Sequence, residues 1–102
     1  MATLAVMYKT PKDPNAFNKH YFETHVKLAK RIPGLRKYEV SQGPVATPAG
    51  PSSYHLVALL QYENLAAIQA AFASPEGQAA VADVQNFASG GVDIIMLETR
   101  EV

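Results

Sequence analysis

Residues 54–62 read YHLVALLQY, from Tyr54 to Tyr62. Apolar side chains fall on both faces of this run, as in a strand at the middle of a sheet. Upstream, Gly43 to Ser53 holds three prolines, two glycines and small residues, the composition of a mobile loop. Leu35 to Gln42 alternates, with Leu35, Lys37, Glu39 and Ser41 on one side and Arg36, Tyr38, Val40 and Gln42 on the other. That is the pattern of an edge or half-exposed strand. Pro33-Gly34 turns the chain into it and stops a helix.

The spacing places that helix from an N-cap at Asn15 to about Arg31. Phe17, Tyr21, Thr24, His25, Leu28 and Ile32 share one face, while Lys19, Lys27 and Lys30 lie in water. Thr3 to Tyr8 is an apolar, β-leaning run and supplies the first strand. Downstream of Tyr62, Asn64 caps a short helix over Leu65–Ala73. Ser74-Pro75-Glu76 opens another, with Ser as N-cap, Pro at the first helical position and an acid at the positive dipole end. Its predicted reach is Ala88, with Val81, Val84 and Phe87/Ala88 as the apolar stripe. Gly90-Gly91 breaks it, and Val92 to Arg100 is the last strand.

Strand, helix, strand, strand, helix pair, strand is the ferredoxin-like order β-α-β-β-α-β. It predicts an α+β fold whose four-stranded antiparallel sheet carries helices on one face, in a single domain over residues 1–102. The chain is 48% hydrophobic and 18% charged, which is globular composition. Nine Lys/Arg balance nine Asp/Glu, so nothing recommends a nucleic acid or a membrane surface as partner. There is no cysteine and hence no thiolate chemistry. The opening MATLAVMYK lacks the charged start and long apolar run of a signal peptide, so the expected compartment is the cytoplasm.

The strands at 54–62 and 92–100 are apolar on both faces, yet helices cover only one. A second copy, packed sheet to sheet about a two-fold axis, is the simplest cover. The alternative is the Gly43–Ser53 loop folding across, but Val45 is its only bulky apolar group.

Among residues that carry chemistry, His25 stands out because it lies on the buried stripe, one turn after Tyr21, facing Tyr8 of the first strand. Such a histidine either packs in the core against a backbone or tyrosine partner, or works as an acid/base or ligand anchor in a helix–sheet pocket. His20 and His25, five apart, point roughly 140° apart on an α-helix, which does not suit a shared metal. No metal site is expected. His55 faces away from Leu56, toward a dimer interior or an exposed strand end. Asp83 is expected in solvent; turned inward, it would meet a polar partner at the pocket mouth. Tyr8, Tyr38, Tyr54 and Tyr62 carry hydroxyls able to orient a phenolic or carbonyl group. No phosphate loop, nucleophile elbow or dinucleotide fingerprint is present, so no cofactor is implied.

Tyr8-Lys9, then Phe17, Tyr21, His25 and Leu28, then Pro33-Gly34-Leu35 with Tyr38, resembles the EthD family. Ser74-Pro75-Glu76-Gly77, Ala82-Asp83 and Phe87 resemble its second helix, and the likeness covers residues 3 to 100. Lys27 departs from the proline of many relatives. The resemblance implies a dimeric α/β barrel. The family is named for ethyl tert-butyl ether degradation, where its members accompany an oxygenase system. Related barrels include cofactor-independent monooxygenases, muconolactone isomerase and polyketide-modifying enzymes. By position, the resemblance implies His25, Tyr8 and Asp83 as catalytic candidates, and Tyr21, Phe87 and Tyr38 as substrate-binding ones. The expected function is a cofactor-independent oxidoreductase, isomerase or dehydratase acting on a small hydrophobic molecule. A non-catalytic binding or accessory protein is the alternative.

Overall fold

In the computed structural model, which describes all 102 residues, β1 (Ala2–Lys9) is the strand around which the rest assembles. It pairs antiparallel with β5 (Tyr54–Tyr62) on one side and β6 (Val92–Glu98) on the other. β2 (Lys37–Val40) pairs with the far edge of β5, giving the order β2-β5-β1-β6. This is the ferredoxin-like arrangement that the element order predicts. Within Gly43–Ser53 the chain forms a small hairpin, β3 (Ala46–Thr47) with β4 (Gly50–Pro51).

Register decides which side chains meet the helices. Leu4 of β1 lies opposite Leu60 and Met96, and Val6 opposite Ala58 and Ile94. These residues, with Tyr8, Leu56 and Tyr62, face the helical layer. Met7, Val57, Leu59, Ile95 and Leu97 point the other way, framed by Lys37, Glu39, Gln61 and Asp93. The hairpin loop does not cover that second face: Leu59, Ile95 and Leu97 stay 38%, 51% and 41% exposed.

The first helical run differs from the sequence expectation at its start and in its middle. Asp13, not Asn15, is the N-cap; its carboxylate accepts from the Asn15 and Ala16 N–H groups, and Pro14 takes the first helical position. Proline is preset for that place because its fixed φ suits the helix and its missing N–H would be unpaired there. The run continues as α1 (Pro14–His20), a π-helical turn (Tyr21–His25) and α2 (Val26–Ala29). Phe17, Tyr21, His25 and Ile32 are buried, as the stripe predicts, but Thr24 is exposed.

Asn64 caps α3 (Leu65–Ala73) through the Ala67 N–H, and Ser74 caps α4 (Pro75–Val84) through the Gly77 N–H. α4 ends at Val84, short of Ala88, and its inward face is Gly77, Ala80 and Asp83, continued by Phe87 in the turn beyond it. Val81, expected in the stripe, is exposed. Gly77 explains the rotation. A side chain there would overlap the backbone of Ala71 and Phe72, so α4 rests its bare glycine face directly on α3.

The Tyr62 hydroxyl is sealed in the core with no hydrogen-bond partner, and burial pushes its pKa up to about 12. An unpaired buried hydroxyl costs about 1–3 kcal/mol, whereas the ring's packing would survive its removal. Tyr62→Phe is therefore expected to match or exceed the native urea midpoint. A loss of more than about 1 kcal/mol would show that the hydroxyl has a partner after all.

Candidate active site

Between the sheet and helices lies a cavity of about 530 Å3. Its walls are apolar apart from His25, Gln69 and the hydroxyl-bearing rings of Tyr8, Tyr21 and Tyr38, and no charged side chain lines it. Val81, Ile94 and Met96 line it while half exposed, and so mark the mouth beside β6; Tyr8, Tyr21 and His25 are buried at the inner end. A concave, mostly apolar space with a few convergent polar groups is the usual form of a small-molecule site.

At the inner end, Asp83 does not point to solvent. It is 7% exposed, and His25 is 6% exposed. The His25 Nδ1–H donates to Asp83 Oδ2 at 3.0 Å. The His20 Nε2–H reaches Oδ1 at 2.9 Å and Oδ2 at 3.1 Å, and the Asn86 amide donates to Oδ1 at 3.0 Å. Three donors thus converge on one carboxylate. Burial alone would raise the Asp83 pKa, but the hydrogen bonds from Asn86, His20 and His25 outweigh it and hold the carboxyl below its usual range.

The π turn makes this convergence. The Val26 N–H bonds the Tyr21 carbonyl five residues back, so the turn is one residue wider than an α turn. Residues five apart, which an α-helix splays, come toward the same side, and His20 and His25 both meet Asp83. The α-helical wheel therefore misplaces His20. No local signal marks Asn86, which follows Asp83 by three residues and touches the carboxylate only because Asp83 faces inward.

His25 has one ring nitrogen committed and one free. Nε2 has no protein partner, yet it is not sealed in, since Tyr62 alone carries a fully buried side-chain polar atom without a hydrogen bond. The same holds for the Tyr8 hydroxyl, and both residues line the cavity. Burial lowers the His25 pKa more than the Asp83 contact raises it, with His20 lowering it further, so the ring is neutral near pH 7. The Tyr21 and Tyr38 hydroxyls lie 2.6 Å apart and share one proton between them, leaving the other free to donate. Burial pushes Tyr8, Tyr21 and Tyr38 up, so all three remain protonated donors.

Phe87 ties the cluster together. Its ring centroid lies 4.8 Å from His25, 5.2 Å from His20 and 5.4 Å from Tyr8. His55 stands outside the cavity. A bulge pairs Tyr8 with Leu56 but Lys9 with Tyr54, which leaves His55 unmatched. Its ring packs on Phe17 at 4.9 Å, and Nε2–H donates to Asn18 Oδ1 at 2.8 Å, so it belongs to the helix side and not to the open face. Tyr54 is likewise occupied, donating to Asp93 at 2.7 Å.

A histidine held neutral by burial links stability to pH. Its folded pKa lies below the unfolded value of 6.5, so its contribution is complete above that value. The contribution is lost as pH falls toward the lower folded pKa, because the unfolded chain takes up the proton first. Asp83 has the same sign in a more acidic window, since its folded pKa lies below 3.8. The melting temperature is expected to drop between about pH 7 and about pH 5, with a shallower drop in His25→Phe. Equal slopes in the two proteins would show that His25 titrates as in the unfolded chain.

Comparison with known proteins places this chain in a family. The EthD domain profile matches residues 9–91. An uncharacterised 11.0 kDa protein of the thcB–thcC intergenic region of Rhodococcus erythropolis is 41% identical over 102 residues, covering 100% of this chain and 98% of the relative. A crystal structure of an EthD family protein from Bacillus halodurans superposes with a TM-score of 0.89 at 34% identity, covering 98% and 99% of the two chains. The fold alone is shared with SnoaB, a cofactor-independent oxygenase from Streptomyces nogalater (TM-score 0.70, 13% identity, 99% and 94% covered). It is also shared with a dimeric ferredoxin-like protein from Jannaschia (TM-score 0.68, 19% identity, 96% and 98% covered). Profile, relative and structure agree: the chain belongs to the EthD family.

Proposed function

We propose that this protein is a cofactor-independent enzyme acting on a small hydrophobic molecule, with His25 as its general acid/base. The observation that carries the reading is the orientation of one imidazole. Asp83 holds Nδ1, and Nε2 is left free at the floor of an apolar cavity. The Asp83 carboxylate would stabilise the imidazolium that forms when Nε2 takes a proton, as a buried acid does behind a catalytic histidine elsewhere. Tyr8, or the free proton of the Tyr21–Tyr38 pair, would hold a carbonyl or phenolic oxygen of the substrate and stabilise negative charge developing there. The apolar walls favour a neutral, hydrophobic substrate body over a phosphate or carboxylate, which would find no cation inside.

After proton removal, the electron pair left on the substrate can react with dioxygen, recover the proton at another atom, or expel a neighbouring hydroxyl that leaves with that proton as water. The first outcome is oxygenation, the second isomerisation and the third dehydration. The shared fold of a cofactor-independent oxygenase supports the first. The test is a screen of hydroxylated and carbonyl-bearing apolar compounds for binding and conversion. His25→Ala is expected to bind a converted compound but lose roughly 10²-fold or more in kcat, within the range of a lost general base. Full activity in that variant would remove His25 from the mechanism.

The reading includes a homodimer closed through the helix-free face of the sheet. That face presents Met7, Val57, Leu59, Ile95 and Leu97, a contiguous apolar patch that an isolated chain would leave in water. Light scattering is expected to give twice the 11.0 kDa chain mass, and Leu59→Lys, which plants a charge in the patch, to give the monomer. A native monomer in dilute solution would contradict the assembly.

A further inference from the structure

The carboxylate of Asp83 serves two imidazoles, and they face different solvents. The His25 side chain is 8% exposed and lines the cavity, while that of His20 is 30% exposed and reaches bulk water. Both lie within 3.1 Å of the same carboxylate, and both rings pack on Phe87. The wide turn at Tyr21–His25 is what brings the second ring there. Asn86 already donates to Oδ1, so His20 supplies something beyond one more N–H: a group able to change charge from the solvent side.

We propose that His20 is a positioning residue that sets the basicity of His25 through their shared carboxylate. The inference rests on His25 being the proton acceptor. In the step concerned, a substrate C–H or O–H bond breaks and an N–H bond forms at His25 Nε2, while the electron pair stays on the substrate. With His20 neutral, the resulting imidazolium is balanced by Asp83. With His20 protonated, the carboxylate is already neutralised, and the new cation is formed beside another in a site shielded from water. Opposite or like charges at this range move a pKa by about 1–3 units. Acidification from the solvent side thus weakens a base that solvent does not reach directly.

The other titratable groups around the two rings are tyrosines, the shared carboxylate and exposed surface charges. Tyr21 on the same helix, Tyr8 on β1 and Tyr38 on β2 stay protonated because burial pushes them up. Asp83 on α4 stays ionised, and Lys19, Glu23 and Lys27 on the helical run and Glu76 on α4 are exposed to water. His20 is the neighbouring imidazole that solvent reaches.

Histidine-selective 15N NMR over about pH 5 to about pH 9 tests this without a substrate. His55, hydrogen-bonded to Asn18 away from the cluster, is the internal reference. In the native protein the His25 resonances are expected to show a second inflection at the His20 midpoint. In His20→Gln, which keeps an N–H donor but cannot be protonated, the His25 midpoint is expected to rise by about half a unit or more, and His20→Phe to act in the same direction. An unchanged His25 midpoint in His20→Gln overturns the proposal. So does a shift confined to His20→Phe, which would reduce His20 to a hydrogen bond. A native His25 curve with no inflection from His20 overturns it even if neither variant folds. Because turnover is not read, these outcomes stand apart from the fate of His25→Ala.

Discussion

A carboxylate taken out of water must find donors, and the burial of Asp83 imposes that demand on the whole helical layer. Its partners come from two separated parts of the chain. His20 and His25 arrive from the first helical run, and Asn86 from the turn after α4. The ion–dipole cluster therefore pins the two helical units together across a layer that is otherwise mostly apolar. Removing a donor would leave the carboxylate with fewer partners, so the cluster helps to fix the placement of α4 against the first run. The cavity lies beside this pin because the helices, held at one end, do not close on β6 at the other, where Ile94 and Met96 stay half exposed.

Two local features make the cluster geometrically possible. Gly77 lets α4 settle on the backbone of α3, and that contact turns Ala80, Asp83 and Phe87 inward. The π turn at Tyr21–His25 rotates the second half of the first helical run so that two histidines five apart reach one carboxylate. Each is a departure from the regular pattern, and both act on the same residue. His25 Nε2 and the Tyr8 hydroxyl are left over after these contacts, on residues that line the cavity.

Most of the architecture could be read from local signals. YHLVALLQY, the Pro33-Gly34 and Gly90-Gly91 breaks and the Asn64 and Ser74 caps carry their meaning within a few residues. The buried positions of Phe17, Tyr21, His25 and Ile32 follow from α-helical spacing, which the π turn leaves intact at steps of four. The misses come from contacts between elements or from local departures from regular helix geometry. The wheel placed Val81 inside and Asp83 in water because nothing within α4 announces that Gly77 will rest on α3. It separated His20 from His25 because no composition marks a π turn, and it sent His55 to the wrong side because the bulge belongs to the pairing of β1 with β5. The histidine could be found in the sequence, but its partner could not.

The chemistry of the site requires a neutral His25 imidazole whose proton sits on the nitrogen facing Asp83, leaving the other to the cavity. The ring 15N shifts of His25 near pH 7 measure this most directly. A neutral ring protonated at Nδ1, with Nε2 carrying a lone pair, is expected. A ring protonated at Nε2, or a cationic imidazolium at that pH, would contradict it.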